Sequence, residues 1–440
     1  MSTLRGLVAG GRTGGRPLGH NGNRAAPWGG RLGRLPMNRT WLLPLLFLGL
    51  GAAAPPERGS PPVAPFVEAL RKEGVEPVAF VRRALETRDL IVFDEGLHPA
   101  AEPWTFYQRL LEDPGIRDRL AFVFLEVLSP AHQRHLDAFL ASPTLDTRLL
   151  IPALQDDFSG FGWRYRNLLD FLVRAWEINH GLPAPKRIRV VGVSMPIFWG
   201  GIQDRADYEA FQDSLRSQDH HMYAAIADHM QGFQRGLKGL FLTNTRHAYT
   251  GLRRKDGGFF WNCTTFLAQH HPGKVLSVRV HNAALQVEAP RKLEGPHSTD
   301  GLREMSYRWV RMEGGAWDRA FRALGDRPVA LPLAGNAFGR SAYVGNQILG
   351  ARPGSTMSEV HDALVFLGPL DRLTFCGKSD LICTPAFREE LKRRIRLLHG
   401  PDLTAFLKEE GVAGLDPFIE AWAKPTQATP NRFLPPLPPD

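Results

Sequence analysis

Ile91-Val92-Phe93-Asp94-Glu95-Gly96-Leu97-His98 is a short apolar run that stops on an acid pair and, three residues after Glu95, reaches a histidine. A buried strand ending in Glu-x-x-His delivers a carboxylate and an imidazole to one rim of a sheet. Open α/β sheets bind ligands at the carboxyl ends of their strands, so a proton-handling pair there reads as a site. Working outward, Phe122-Val123-Phe124-Leu125-Glu126 repeats the pattern: an apolar run closed by a carboxylate. Gly239-Leu240-Phe241-Leu242-Thr243 then opens onto Asn244-Thr245-Arg246-His247, with a second histidine just past a strand end. Glu95, His98, Glu126 and His247 are therefore expected at one edge of one sheet.

From about residue 63 the chain alternates helix-like and strand-like segments, the pattern of an α/β fold with a mainly parallel central sheet flanked by helices. Strands are predicted at Leu90–Phe93, Ala121–Leu125, Ile188–Val193, Gly239–Thr243, Val275–Val280 and Ala363–Leu367. Helices are predicted at Trp104–Leu111 and Leu168–Ile178. A long amphipathic helix is predicted over Asp207–Phe233, where Tyr208, Phe211, Leu215, Met222, Ile226, Met230 and Phe233 recur at helical spacing. Proline and glycine clusters at 183–185, 200–201, 257–258 and 314–315 mark loops or insertions within a single domain spanning 65–424. Residues 425–440 form a proline-rich tail, expected to be extended and loose.

The 440 residues, 43% of them apolar and 22% charged, have a globular composition. The formal charge of +9 suggests a nucleic-acid partner until the charges are placed. Residues 1–40 hold seven arginines and no acid, leaving 47 basic against 45 acidic residues elsewhere, so nucleic acid is excluded as a partner. Residues 37–54 have a charged start, an apolar centre (Trp41–Leu50) and a small-residue exit, the composition of a secretory signal too short to span a bilayer. Residues 1–36 are then either a disordered extension or a mis-assigned start upstream of Met37, and 55–64 a linker. The mature protein is expected to be periplasmic or extracellular, with no stable membrane span. Cys263, Cys376 and Cys383 make no disulfide scaffold and no zinc pattern; Cys376 and Cys383 either pair across a short loop or stay as buried thiols.

A glutamate inside so apolar a strand is costly to bury ionised, so Glu126 demands a cation, a metal or a histidine. His98 is the nearest candidate by topology. His220-His221 and His270-His271 lie in polar stretches and read as solvated, while His281, closing the Val275–Val280 strand, is a reserve candidate. Ser194 is no nucleophile elbow, because Pro196 breaks the Gly-x-Ser-x-Gly turn. The segment Phe158–Arg166, with its glycines, aromatics and arginines, reads either as a lid or as a packed surface loop, and Phe259-Phe260-Trp261 as packing.

These residues resemble the erythromycin-esterase-like proteins, which are distantly related in fold to the ChaN haem-binding proteins and the TIKI proteases. The resemblance covers roughly residues 85–370. It rests on Asp94-Glu95-Gly96-Leu97-His98, Glu102, Glu126, Asp219-x-x-Met222, Asn244-x-x-His247 and His361-Asp362-Ala363-Leu364-Val365-Phe366 in that order. It departs at Asp94, where that group has glycine, and at Ser194, where it often has an acid. The resemblance implies hydrolysis of an ester or related bond in a small-molecule substrate by an activated water. In that reading His98 is the general base, Glu126 orients or charges its imidazole, His247 is a second acid/base or steadies the oxyanion, and Glu95 stands behind them. No cofactor is required. The alternatives are capture of a divalent metal or haem through His98, Glu126 and His247, or an inactive binding module of the same fold. Oligomeric state is not legible in the sequence.

Overall fold

The computed structural model describes residues 62–288, 306–345 and 351–431, with Leu434 and Leu437. The expected extension 1–36, the signal-like segment 37–54 and most of the linker 55–64 lie outside the described residues. Among the described residues, no helix is long and apolar enough to cross a membrane.

The central strand, β1 (Leu90–Asp94), is buried at every position, as a strand covered on both faces by helices requires. It lies between β4 (Lys238–Thr243) and β5 (Val275–Val280), parallel to both, with Phe93 opposite Leu242 and Val278. β2 (Leu120–Leu125) and β3 (Arg189–Gly192) extend the sheet beyond β4. β9 (Ala363–Phe366) and β8 (Val329–Pro332) extend it beyond β5, giving the order β3-β2-β4-β1-β5-β9-β8. β8 alone runs antiparallel to its neighbour. The expected α/β class and mainly parallel sheet are thus observed. β8 escapes the sequence reading because four residues ending in proline carry too little periodicity.

A hairpin of β6 (Ala284–Glu288) and β7 (Ser306–Val310) is set into the chain after β5. A second small pair joins β10 (Thr374–Phe375) to β11 (Thr429–Pro430). That pair corrects the expectation of a loose tail: Thr426 and Lys378 exchange backbone hydrogen bonds, Asn431 N–H donates to the Leu373 carbonyl, and Leu437 is buried. Three helices near the carboxyl end, Pro385–His399, Leu403–Glu409 and Leu415–Ala423, form the helical insertion, packed through Leu391, Ile395, Phe418 and Ile419. All three cysteines are free thiols.

The long helix expected over Asp207–Phe233 is broken. Helix Arg205–Ser214 gives way to a 3₁₀ turn at Leu215–Ser217, a new helix runs Gln218–His229, and Gln231, Gly232 and Phe233 all adopt positive φ. The apolar residues serve two different cores. Tyr208 and Phe211 pack against Trp199, whereas Met222, Ile226 and Met230 pack against the sheet beside Val92 and Phe241, and one straight rod cannot face both. The break has a local result: Asp219 falls in the first turn of a fresh helix, beside the end of β4.

Candidate active site at the carboxyl ends of the strands

The pairing of β1, β4 and β2 continues one residue past the strands, since Glu95 N–H donates to the Thr243 carbonyl and Glu126 N–H to the Leu242 carbonyl. Both acids are held by backbone at the same rim. The turn after β4 is shaped by Asn244, whose Oδ1 caps the short helix Thr245–Ala248 by accepting from Arg246 N–H at 2.9 Å. With Oδ1 so committed, the Asn244 amide nitrogen faces inward, 3.1 Å from Glu126 Oε1 and 3.0 Å from His98 Nε2.

His98, Glu126, His247 and Glu95, the four residues expected at the site, are brought together. Their partnership differs from the sequence reading. Glu95 grips His98 directly, through a short contact between Oε1 and Nδ1. Glu126 lies 4.0 Å from His98 Nε2 and belongs to the other imidazole, 3.2 Å from His247 Nε2. Glu126 Oε2 accepts from Thr243 Oγ1 at 2.5 Å and from Asn244 N–H at 2.8 Å. Asp219 holds His247 Nδ1 at 2.6 Å and also accepts from Cys263 N–H at 2.8 Å. The resemblance included Asp219 and Asn244 only as landmarks; the geometry gives each a contact.

Protonation follows from these contacts. Burial disfavours a charged His247, but Asp219 and Glu126, one on each nitrogen, outweigh it and raise its pKa to about 10. His247 is therefore an imidazolium with both N–H groups spent on carboxylates. Burial likewise opposes ionisation of Glu126, yet His247, His98 and the Thr243 hydroxyl pull its pKa well below the ordinary range. Burial raises the pKa of Glu95 against the pull of His98; burial also opposes charge on His98, and there the Glu95 carboxylate prevails and raises the pKa. A proton lies between Nδ1 and Oε1. The Asn244 N–H aimed at Nε2 favours a lone pair on that atom. His98 is the site's opening: its side chain is 17% exposed, whereas those of Glu95 and Glu126 are at 1%.

Asp94, the departure from the glycine of the resembled motif, faces away from this cluster into a network of its own. It accepts from Gly96 N–H at 3.0 Å, Thr245 Oγ1 at 2.7 Å and Arg279 Nη1 at 2.5 Å. Arg279 was missed. The available signal was an arginine inside the apolar run Val275–Val280, which cannot be buried without a carboxylate. His361 hydrogen-bonds Ser277 Oγ at 2.8 Å and lies 3.6 Å from Asp94 Oδ2; burial lowers its pKa to about 4, so it is neutral.

The remaining candidates lie elsewhere. His281 is boxed by Trp317, Phe321 and Phe366, with Asp318 at 3.5 Å. His220 and His270 are exposed, with rings against Phe266 and Tyr223, and His221 and His271 are half-buried. Glu102 fixes β10 by accepting from Thr374 N–H and Oγ1 at 2.9 Å. Ser194 is buried at the end of β3 and accepts from Gln218 Nε2 at 3.5 Å. The Phe158–Arg166 segment is a packed loop: Asp157 Oδ1 accepts from Gly160 and Gly162 N–H, and Trp163 sets its edge against the His98 ring with centroids 5.0 Å apart.

Both nitrogens of His247 face carboxylates and Nδ1 of His98 faces Glu95, and among the described residues no group of three or more His, Cys, Asp or Glu side chains is placed to hold a metal ion.

No protein family and no curated protein is matched by the sequence. Solved structures are similar to this chain. A mutant of erythromycin esterase EreC in its open conformation aligns over 66% of this chain and 92% of its own, at 11% identity and a TM-score of 0.43. A succinoglycan biosynthesis protein aligns over 69% and 96%, at 8% identity and 0.46. The haem-bound ChaN of Campylobacter jejuni aligns over 46% and 85%, at 15% identity and 0.30. At these identities the likeness is one of fold.

Proposed function

We propose that the protein is a hydrolase of a small-molecule ester or related bond, with the Glu95–His98 pair activating water. The observation that carries this reading is the state of His98: Nδ1 is fixed by a buried carboxylate, Nε2 is turned toward an amide donor that favours its lone pair, and its side chain opens to solvent. Once a water displaces the Asn244 amide from Nε2, a base held in this way takes a proton from that water as the water oxygen bonds to the carbonyl carbon. The same proton passes to the departing alkoxide when the carbon–oxygen bond breaks, which returns His98 to its starting form. Glu95 holds the ring orientation and offsets the charge of the transient imidazolium, and Glu126 adds negative charge 4.0 Å from Nε2. His247, spent on two carboxylates, acts as a fixed positive charge that keeps Glu126 ionised, not as a second base. Arg246, in the turn after β4, sets positive charge beside Asp219 and Glu126. An exported location goes with this reading, supported by the charged, apolar and small-residue order of residues 37–54.

The test is hydrolysis of p-nitrophenyl acetate and larger p-nitrophenyl esters by the purified protein and its His98→Ala variant. Turnover is expected to fall by at least about 100-fold, the usual contribution of a positioned acid or base. Wild-type turnover in a folded His98→Ala protein would refute the assignment.

A further inference from the structure

Behind the Glu95–His98 pair, four buried polar atoms have no hydrogen-bond partner: Glu95 Oε2, Tyr107 Oη, Trp104 Nε1 and Trp163 Nε1. One is an acceptor and three are donors. They lie on one side of the sheet. Because the ladder runs on to Glu95, Phe93 and Glu95 point to the same face of β1, and Phe93 packs in one core with Trp104, Tyr107 and Trp163. The Tyr107 ring is 5.2 Å from that of Phe93 and 5.8 Å from that of Trp104, while Trp163 touches His98. Buried polar groups in folded proteins are almost always satisfied, and where protein atoms do not reach each other an ordered water with two to four partners commonly does it.

We propose that Tyr107 is a positioning residue of the site: through one buried water its hydroxyl holds Oε2 of Glu95, so that Oε1 stays aimed at His98 Nδ1. The water accepts from Tyr107 Oη and donates to Glu95 Oε2, which leaves a lone pair for an indole N–H. Tyr107 is a dependable donor, since burial, and then the charges of Glu95 and Asp94, raise its pKa well above the ordinary phenol value. The role rests on the hydrolase reading for its catalytic meaning, though not for its geometry. The other charges that act on the pair are Glu126 and His247, from the end of β2 and the turn after β4, and Asp94 from the opposite face of β1; replacing Tyr107 by phenylalanine leaves them all in place.

Three measurements test it. In Tyr107→Phe, kcat for p-nitrophenyl acetate is expected to fall about tenfold with KM unchanged. In ¹⁵N-labelled protein, the His98 imidazole is expected to titrate about half a pH unit or more lower, because Glu95 has lost support for its charge. A high-resolution crystal structure of the full wild-type chain is expected to show density for a water within hydrogen-bond distance of both Oη and Oε2. An unchanged His98 titration in folded Tyr107→Phe, or a dry gap in that crystal structure, overturns the proposal. The crystal decides the matter if the variant does not fold. If wild-type protein cleaves no ester, the hydrolase reading fails while the titration and the density still judge Tyr107.

Discussion

Arg279 and Asp94 meet where neither touches water: the arginine is 4% exposed and the aspartate 0%, with Thr245 Oγ1 bridging them. Removing one partner of such a pair leaves a bare charge in the core and costs about 3–5 kcal/mol, whereas replacing both is often neutral. Arg279→Met should therefore lower the free energy of unfolding by about that amount. Adding Asp94→Asn should restore most of it, which denaturant titration of the two variants and the parent would read. A double variant as unstable as the single one would contradict the pairing. Asp94 also illustrates what was legible at this scale. The sequence points to Glu95, His98, Glu126 and His247 because each follows an apolar run. It cannot say which acid serves which imidazole, since that depends on a 4.0 Å against a 3.2 Å separation set by side-chain packing.

Among the elements, the loop that carries Trp163 is constrained at a glycine. Gly162 has φ +75°, and a Cβ there would lie 2.6 Å from Ile382 Cδ1 and 3.1 Å from the Leu154 carbonyl oxygen. The glycine is required twice over, by its backbone conformation and by the close approach. Gly162→Ala should cost about 1–3 kcal/mol, and it should lower turnover as well because the next residue braces His98. A thermal melt together with the ester assay checks both effects; an unshifted melting temperature would remove the argument. Strand existence was readable from composition, since β1, β2 and β4 are built on continuous apolar runs and β5 on a β-branched one. The break between Ser214 and Gln218 was not, because spacing alone cannot reveal that two stretches of one amphipathic pattern face different cores.

For the molecule as a whole, the buried histidines set opposite limits on stability with pH. The pKa of His247 is raised from 6.5 to about 10, so its stabilisation is complete below pH 6.5 and is lost as pH climbs through 10. The pKa of His361 is lowered from 6.5 to about 4, so its contribution is complete above pH 6.5 and is lost as pH falls toward 4. Glu126, depressed below its ordinary 4.5, adds to the loss on the acid side below that value. Urea midpoints measured from pH 4 to 10 should trace a dome near pH 6.5, and His247→Gln should flatten the alkaline slope. A slope that persists in that variant would assign it to other groups.

The sheet order carries a consequence for how the protein comes to life after synthesis. Leu90 pairs with Gly239, so the central ladder joins segments separated by β2, β3 and every helix between them. Closing so large a loop is entropically expensive and slow, as it is for folds rich in non-local pairing. Neither imidazole meets its full set of acids until that closure is complete. On the proposed hydrolase reading a half-folded chain is chemically silent, and recovery of ester cleavage after dilution from denaturant is expected to follow the docking of β4 between β1 and β2.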